Sequence, residues 1–598
     1  MKTNTTPIWF VLAAALAAGV WFVQKHFHSG APASLNLLAG LRAGDVTSIQ
    51  IVPANAREIS AVRTNQNWFL EKPIAYPAAT AAIEPVLAAL EKITPLLRLT
   101  AAEVARKNAD AEFGLENPQF RIDVTAGEQS WHLNVGNRTP PGDGVYVRLV
   151  GGAGIYVTGV DWLAALPHEA GAWRDTALTG DLGAVDWLVI TNGAKVVELR
   201  RDATNHAWRI ISPAPARRAD ATIIATALQQ LRGAKISRFV TDDPKADLST
   251  FGLQPAELDL ALGHGTNFFE VLHVGKPAAE NPGQIFVRRE GWNSVLAVAK
   301  ETIAPWRGDG NSFRETHLLD LTGPVAEIEV RGENNFTLRR QGTNGWAVAG
   351  ETFPLDLENL QLFVRLLANL RVTEFVKDVA SGPDLQGFGL TPTNTRSITL
   401  RSQPGDSNAV IAALVFGAAE TNRVFVQRTD EPLFVYALAP VDVAQLPVAG
   451  WQFRERRLWN FSETNLAQIT VRQAGQTRSV LHNGFNKWSV APGSQGQVDP
   501  VGLEETAKQF GTFAAAWWLE RNFTVPEKFG FNTNRLALEF ELKSGEKFSV
   551  NFGADIPSPT TPTAFATVMV DGERWALVLP PPVWQLADVF LKIIPGQP

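Results

Sequence analysis

The side chains that could do chemistry in this chain are its nine histidines, its 60 acidic residues and a few glycine-rich stretches. A zinc hydrolase would place two histidines one helical turn apart, with a glutamate between them, because only that spacing brings both imidazoles to one face. No HExxH occurs, and the histidines are scattered. His132 and His273 lie in alternating, strand-like runs of different segments at non-matching places, and both read as ordinary strand residues. Carboxylates are too many to single out an acid/base pair, and no G-x-S-x-G elbow is present to expose a nucleophilic serine. Gly151 to Gly154 reads as a hairpin turn. Gly263 to Gly265 lacks the third glycine and the following helix of a dinucleotide site, and the Gly-Lys at Lys276 has no Walker spacing. No catalytic, cofactor-binding or metal-ligating residue is assigned, and the expectation is a non-enzymatic protein without a cofactor. The remaining candidate is the pair Trp517 and Trp518 in FAAAWWLERN, read as an alanine-rich helix. Two adjacent positions cannot both face one core stripe, so one of the pair is a candidate partner contact.

Composition narrows the classes further. A length of 598 residues exceeds what one core usually serves, so several domains are expected. A net charge of −6, with no dense Lys/Arg run, lacks the electrostatic footprint of a nucleic-acid binder. The absence of cysteine excludes disulfides, thiolate metal sites and a lipid-modified cysteine, so packing must hold the fold.

Near the start, Ile8 to Val23 is uncharged and apolar, flanked by Lys2 and Lys25, with Trp9 and Trp21 where interfacial aromatics belong. At about 1.5 Å per residue it falls a little short of the roughly 30 Å hydrocarbon layer, and its neighbours can extend it. It reads as a transmembrane anchor with a short cytoplasmic tail, residues 1–7. A cleaved signal peptide ending at Ala31-Pro32-Ala33 is the alternative. Either reading exports the rest of the chain, which gives the expected location: the cytoplasmic membrane, single-pass, with the bulk periplasmic.

The elements that would position any site repeat about every 140 residues. A tryptophan closes a short strand at Trp68, Trp208, Trp346 and Trp488. An aromatic-Gly turn recurs at Gly114, Gly252, Gly389 and Gly530, and a glycine ends a later strand at Gly136, Gly275, Gly417 and Gly553. An aromatic-Arg segment closes the first three copies at Arg174, Arg314 and Arg454, which suggests a junction with a buried aromatic and a paired guanidinium. Between the Trp strand and the FG turn lies an amphipathic helix. In the third copy Asp356 is the expected N-cap, and Leu360, Phe363, Leu367 and Leu370 form the buried stripe; the second copy has Asp220 before Ile224, Leu228 and Leu231. Period-two strands joined by short turns favour antiparallel pairing. The expected fold is α+β: four tandem repeats, each a mainly antiparallel sheet packed with one amphipathic helix. The expected boundaries are linker 24–44, then repeats 45–180, 181–320, 321–462 and 463–598. A tryptophan needed once per copy is first a core plug, although such rings could also line a glycan or peptide groove.

On these motifs the chain resembles the DUF4340 family of membrane-anchored bacterial envelope proteins. The fourth copy departs from the pattern, with Phe531 where the others have leucine and no closing arginine. The resemblance implies an envelope accessory role beside ABC-2 or gliding-type transporter subunits, and no catalytic residue. The expected function is therefore an anchored extracytoplasmic scaffold with envelope protein partners. Binding of envelope glycan or lipid is the alternative.

Overall fold

The computed structural model describes residues 36–105, 109–321, 323–342, 345–391, 395–531, 535–558 and 561–593. The expected anchor, Ile8 to Val23, lies outside the described residues. Among the described residues, no helix is long and apolar enough to cross a membrane.

Among the described residues each copy builds one antiparallel sheet, of nine strands in the first two and eight in the others, and strand outweighs helix throughout. The first copy shows the plan. Strands Ser48–Pro53, Ile59–Thr64, Asn67–Lys72 and Tyr76–Pro77 form one meander, and Phe120–Ala126, Gln129–Arg138, Gly144–Leu149 and Ile155–Gly159 form a second. The first strands of the two meanders pair with each other, Ile51 opposite Ile122, which fuses them into one sheet. Strand Pro95–Leu99, which follows the helix, adds at the far edge against Ile155–Gly159.

Alternation puts one set of side chains under the helix. In the first copy Ile49, Ile51, Ile122 and Val124 meet Ile83, Val86, Leu87 and Leu90 of helix Thr80–Glu91. In the third, Asp356 caps helix Leu357–Ala368 by accepting from the Glu358 and Asn359 amides, while Leu360, Phe363, Leu367 and Leu370 are buried. A 12-residue helix has little stability alone; its three buried side chains at about 1.5–3 kcal/mol each, with Leu370 just past its end, hold it in place. Each sheet carries a smaller core on its other face, where the FG turn docks, as with Phe113, Leu115 and Ile155.

The chain divides into two compact units, Met1–Arg314 with the first two sheets and Glu315–Pro598 with the other two. Residues Leu37, Leu38 and Leu41, expected to be linker, are buried in the first core. The Trp517-Trp518 segment, expected to be helical, is strand Trp517–Arg521, paired with Glu573–Val578. Cross-strand pairing overrides the helix preference of the preceding alanines.

Candidate functional site

The four signature tryptophans occupy one place in the repeat; expected to close a strand, each stands instead at the first or second position of the strand that leads toward the helix, just after a hairpin turn. Trp68, Trp208 and Trp488 are buried, and Trp346 is half-buried against its core. Sequence reading missed what two of their indoles bind. Trp68 and Trp488 donate to a helix carboxylate, Glu84 at 3.4 Å and Glu504 at 2.8 Å, at the same chain distance in both copies. Glu84 is half-buried and Glu504 buried, and a carboxylate withdrawn from water needs further partners. In the first copy Arg63 supplies one. In the fourth, His482 has its Nδ1 3.1 Å from the Leu466 carbonyl and its Nε2 3.3 Å from Glu504. Counted from the helix cap, the second and third copies place Ala225 and Gln361 at the matching helix position, so the polar pair is an option within one architecture.

The two glycine markers are halves of one contact. Gly114, Gly252, Gly389 and Gly530 all have φ near +70°, a left-handed conformation that disfavours a side chain, and a Cβ there would lie 2.8 Å from a backbone nitrogen of the facing strand in every copy. That facing strand carries the other marker. A Cβ on Gly136, Gly275, Gly417 or Gly553 would collide with the carbonyl of Phe113, Phe251, Phe388 or Phe529. The close approach lets Asn137 and Ala418 donate to the Phe113 and Phe388 carbonyls, each at 2.8 Å. A bulge breaks the strand register beside the glycine in all four copies.

Two of the arginine segments tie successive copies together within one compact unit. Trp173 and Phe453 are buried, and their carbonyls accept from the Ala79 and Asp356 amides at the helix starts of their own copies. Beyond them, Arg174 pairs with Asp242 of the second copy at 2.6 Å, beneath the Phe239 ring, and Ser294 holds the other oxygen of Asp242. Arg454 pairs likewise with Asp571 of the fourth copy at 2.6 Å and lies over Trp575. Arg314, the last residue of the first unit, is buried and bridged to Ala219. A few residues on, the backbone pairs with the next copy: Leu178 donates to Ala234 and Ile236 donates to Thr176, while Leu458 donates to Phe513 and Ala515 donates to Arg456. Leu37 donates to Ile93 in the same manner, so the segment before the first copy plays the role of a junction without an arginine. The fourth copy ends differently. Helix Pro581–Leu586 runs into a π turn, Ala587–Leu591, and the Phe590 ring covers Gly502 on the repeat's helix.

The tryptophan pair separates by strand alternation. Trp517 is 57% exposed, whereas Trp518 is 7% exposed and donates through its indole to the Arg454 carbonyl at 3.2 Å. Trp518 is thus corrected from a partner-contact candidate to a junction residue, and Trp517 alone presents a face to solvent. Elsewhere the titratable groups pair across strands. His132 faces Asp123 at 2.6 Å, and His273 lies between Asp259 at 2.7 Å and Glu290 at 2.5 Å. Burial alone would lower the pKa of His273, but its bonds to Glu290 and Asp259 outweigh this and raise it. Each of these carboxylates bonds the imidazole directly, which leaves no gap for a metal; among the described residues no group of three such side chains is placed to hold one.

Fold and signature together define a class: tandem α+β repeat proteins in which the recurring residues build and join the modules. The chain belongs to the family described as Domain of unknown function (DUF4340), whose model matches residues 68–205, 208–384 and 346–533. No curated protein and no solved structure matches it.

Proposed function

We propose that this protein is a non-enzymatic extracytoplasmic scaffold, held at the cytoplasmic membrane by Ile8 to Val23, whose repeats contact envelope proteins such as subunits of an ABC-2 or gliding-type transporter. The observation that carries the reading is the junction. The segments after Arg174 and Arg454 hydrogen-bond into the next copy, so the first copy is fixed to the second and the third to the fourth. Fixed modules suit a protein whose work is to hold surfaces at set spacings. The signature residues support it too, since each is accounted for by packing, capping or joining and none is left over for a reaction. The apolar run with its flanking lysines supports the tether.

The test is fractionation with crosslinking in a host cell. The intact chain should pellet with membranes after an alkaline wash and crosslink to membrane transport proteins, and deletion of residues 8–23 should release a folded, soluble product. A deleted form that stays in the membrane pellet, or an intact chain whose crosslinks contain no membrane transport protein, would overturn the proposal.

A further inference from the structure

The open face of the fourth sheet carries a trough of about 630 Å³, within the size range of small-ligand sites. Its floor is a row of side chains running straight across the strands. Arg472 lies opposite Ala537, Ala537 opposite Asn551, and Asn551 opposite Thr567. Phe523 and Phe531, with ring centroids 5.3 Å apart, form one wall. Arg535 and Arg574 also line the trough, and no carboxylate does among the described residues.

The other three copies serve as internal controls, because the strand glycine fixes the same row in each. Two residues before that glycine stand Asn134, His273, Val415 and Asn551. In the first copy the row is Arg121, Asn134 and Arg148, and Arg148 lies across the face in an ion pair with Asp110. In the second it is Asp259, His273 and Arg288, with the imidazole held between two carboxylates. In the third, Val415 sits at the centre and the Gln427 amide is turned to the Pro432 carbonyl. Only the fourth copy combines short side chains with uncommitted hydroxyl and amide groups. The trough is thus a property of its sequence and not of the repeat.

We infer that this trough binds a carboxylate-bearing oligosaccharide. Hydroxyl and amide groups of Ser549, Asn551 and Thr567 suit a polyhydroxyl ligand, and the partly exposed Phe531 ring, backed by the buried Phe523, suits the apolar face of a sugar ring. Charge sets the rest. Arg535 is committed to Asp555 at 2.7 Å and Arg472 stands 3.5 Å from Glu539, whereas the Arg574 guanidinium lies over Phe523 with no ion pair or hydrogen bond among the described residues. One uncommitted guanidinium matches one carboxylate in a bidentate pair. A nucleic acid or polyphosphate needs several free cations. A peptide strand needs an open sheet edge, and this row crosses the middle of the sheet. The inference is independent of the scaffold reading, since a scaffold can carry a ligand site or lack one.

The experiment is calorimetric titration of the intact chain with a trimer of galacturonic acid, its neutral galactose counterpart and inorganic phosphate, with hydrogen-exchange footprinting of the bound state. The acidic trimer should bind about tenfold or more tighter than the neutral one and protect the strands holding Asn551 and Thr567. Arg574→Gln should weaken it about tenfold or more, and Asn551→Arg, which fills the row from an exposed position, should abolish binding. Unchanged melting of both variants would separate lost binding from lost folding. No binding at about 10 mM, equal binding of the neutral trimer, competition by phosphate, a footprint elsewhere or full affinity in folded Asn551→Arg would each overturn the inference.

Discussion

Replacing Gly136 with alanine tests why a glycine recurs inside the same strand in every copy, two or three residues short of the end where the sequence alone places it. The added Cβ meets the Phe113 carbonyl and lies 3.2 Å from two atoms of Leu115, and the carbonyl cannot rotate aside as a flexible side chain could. The FG turn must lift away. Overpacking of this kind costs about 1–3 kcal/mol. The hydrogen bond from Asn137 to Phe113, 2.8 Å long, is lost with it, at a further cost of about 1 kcal/mol. Local opening should therefore become easier by about 2–4 kcal/mol, or roughly 30- to 1000-fold in the exchange rate of the Asn137 amide. Gly159 provides the comparison in the same copy, because nothing lies within 4 Å of a Cβ built there. Its alanine variant should stay within about 0.5 kcal/mol of the parent. Hydrogen exchange by mass spectrometry on the intact chain reads both. If Asn137 is deprotected no more by Gly136→Ala than by Gly159→Ala, the docked-turn account of the signature is wrong.

Two further outcomes follow from the site geometry. Trp518→Ala should lower the stability of the copy that contains it by about 3–5 kcal/mol, seen as an earlier denaturant transition, while Trp517→Ala should leave that transition in place; equal effects would refute their assignment to opposite faces. Because the folded pKa of His273 lies above its ordinary value of 6.5, its ion pairs contribute fully below that pH, and the contribution is lost as pH rises through the folded value. Imidazole titration by NMR should give a pKa above 6.5 that falls in Glu290→Gln, and an unshifted titration would contradict the bond between the two.

The repeat was legible in the sequence because its markers are positions that tolerate few substitutes. A left-handed turn pressed against a strand calls for glycine on both sides, and such glycines recur in register whatever surrounds them. The helix stripe and its Asp356 cap were legible for a similarly local reason. Trp517 and Trp518 were misread because the three alanines before them favour a helix, whereas their strand is set by a partner, Glu573–Val578, more than 50 residues away. Leu37 escaped notice as a junction residue because the arginine that marks the other junctions is missing there. The trough was invisible for a different reason. Ala537, Asn551 and Thr567 form a row only through the register of three strands, and no spacing along the chain shows which short residues will end up side by side.

The segment from Arg174 to Leu178 has a consequence for anyone wishing to cut this protein into pieces. Its first residue is bridged to Ala78 and its later ones to the stretch from Ala234 to Ile236, so two successive sheets share five residues. A scissor placed ahead of it strips a flank from one sheet; placed behind, it robs the other. Excised fragments should carry the shared stretch at both ends, duplicated, so that neither neighbour is left with a bare margin open to foreign strands.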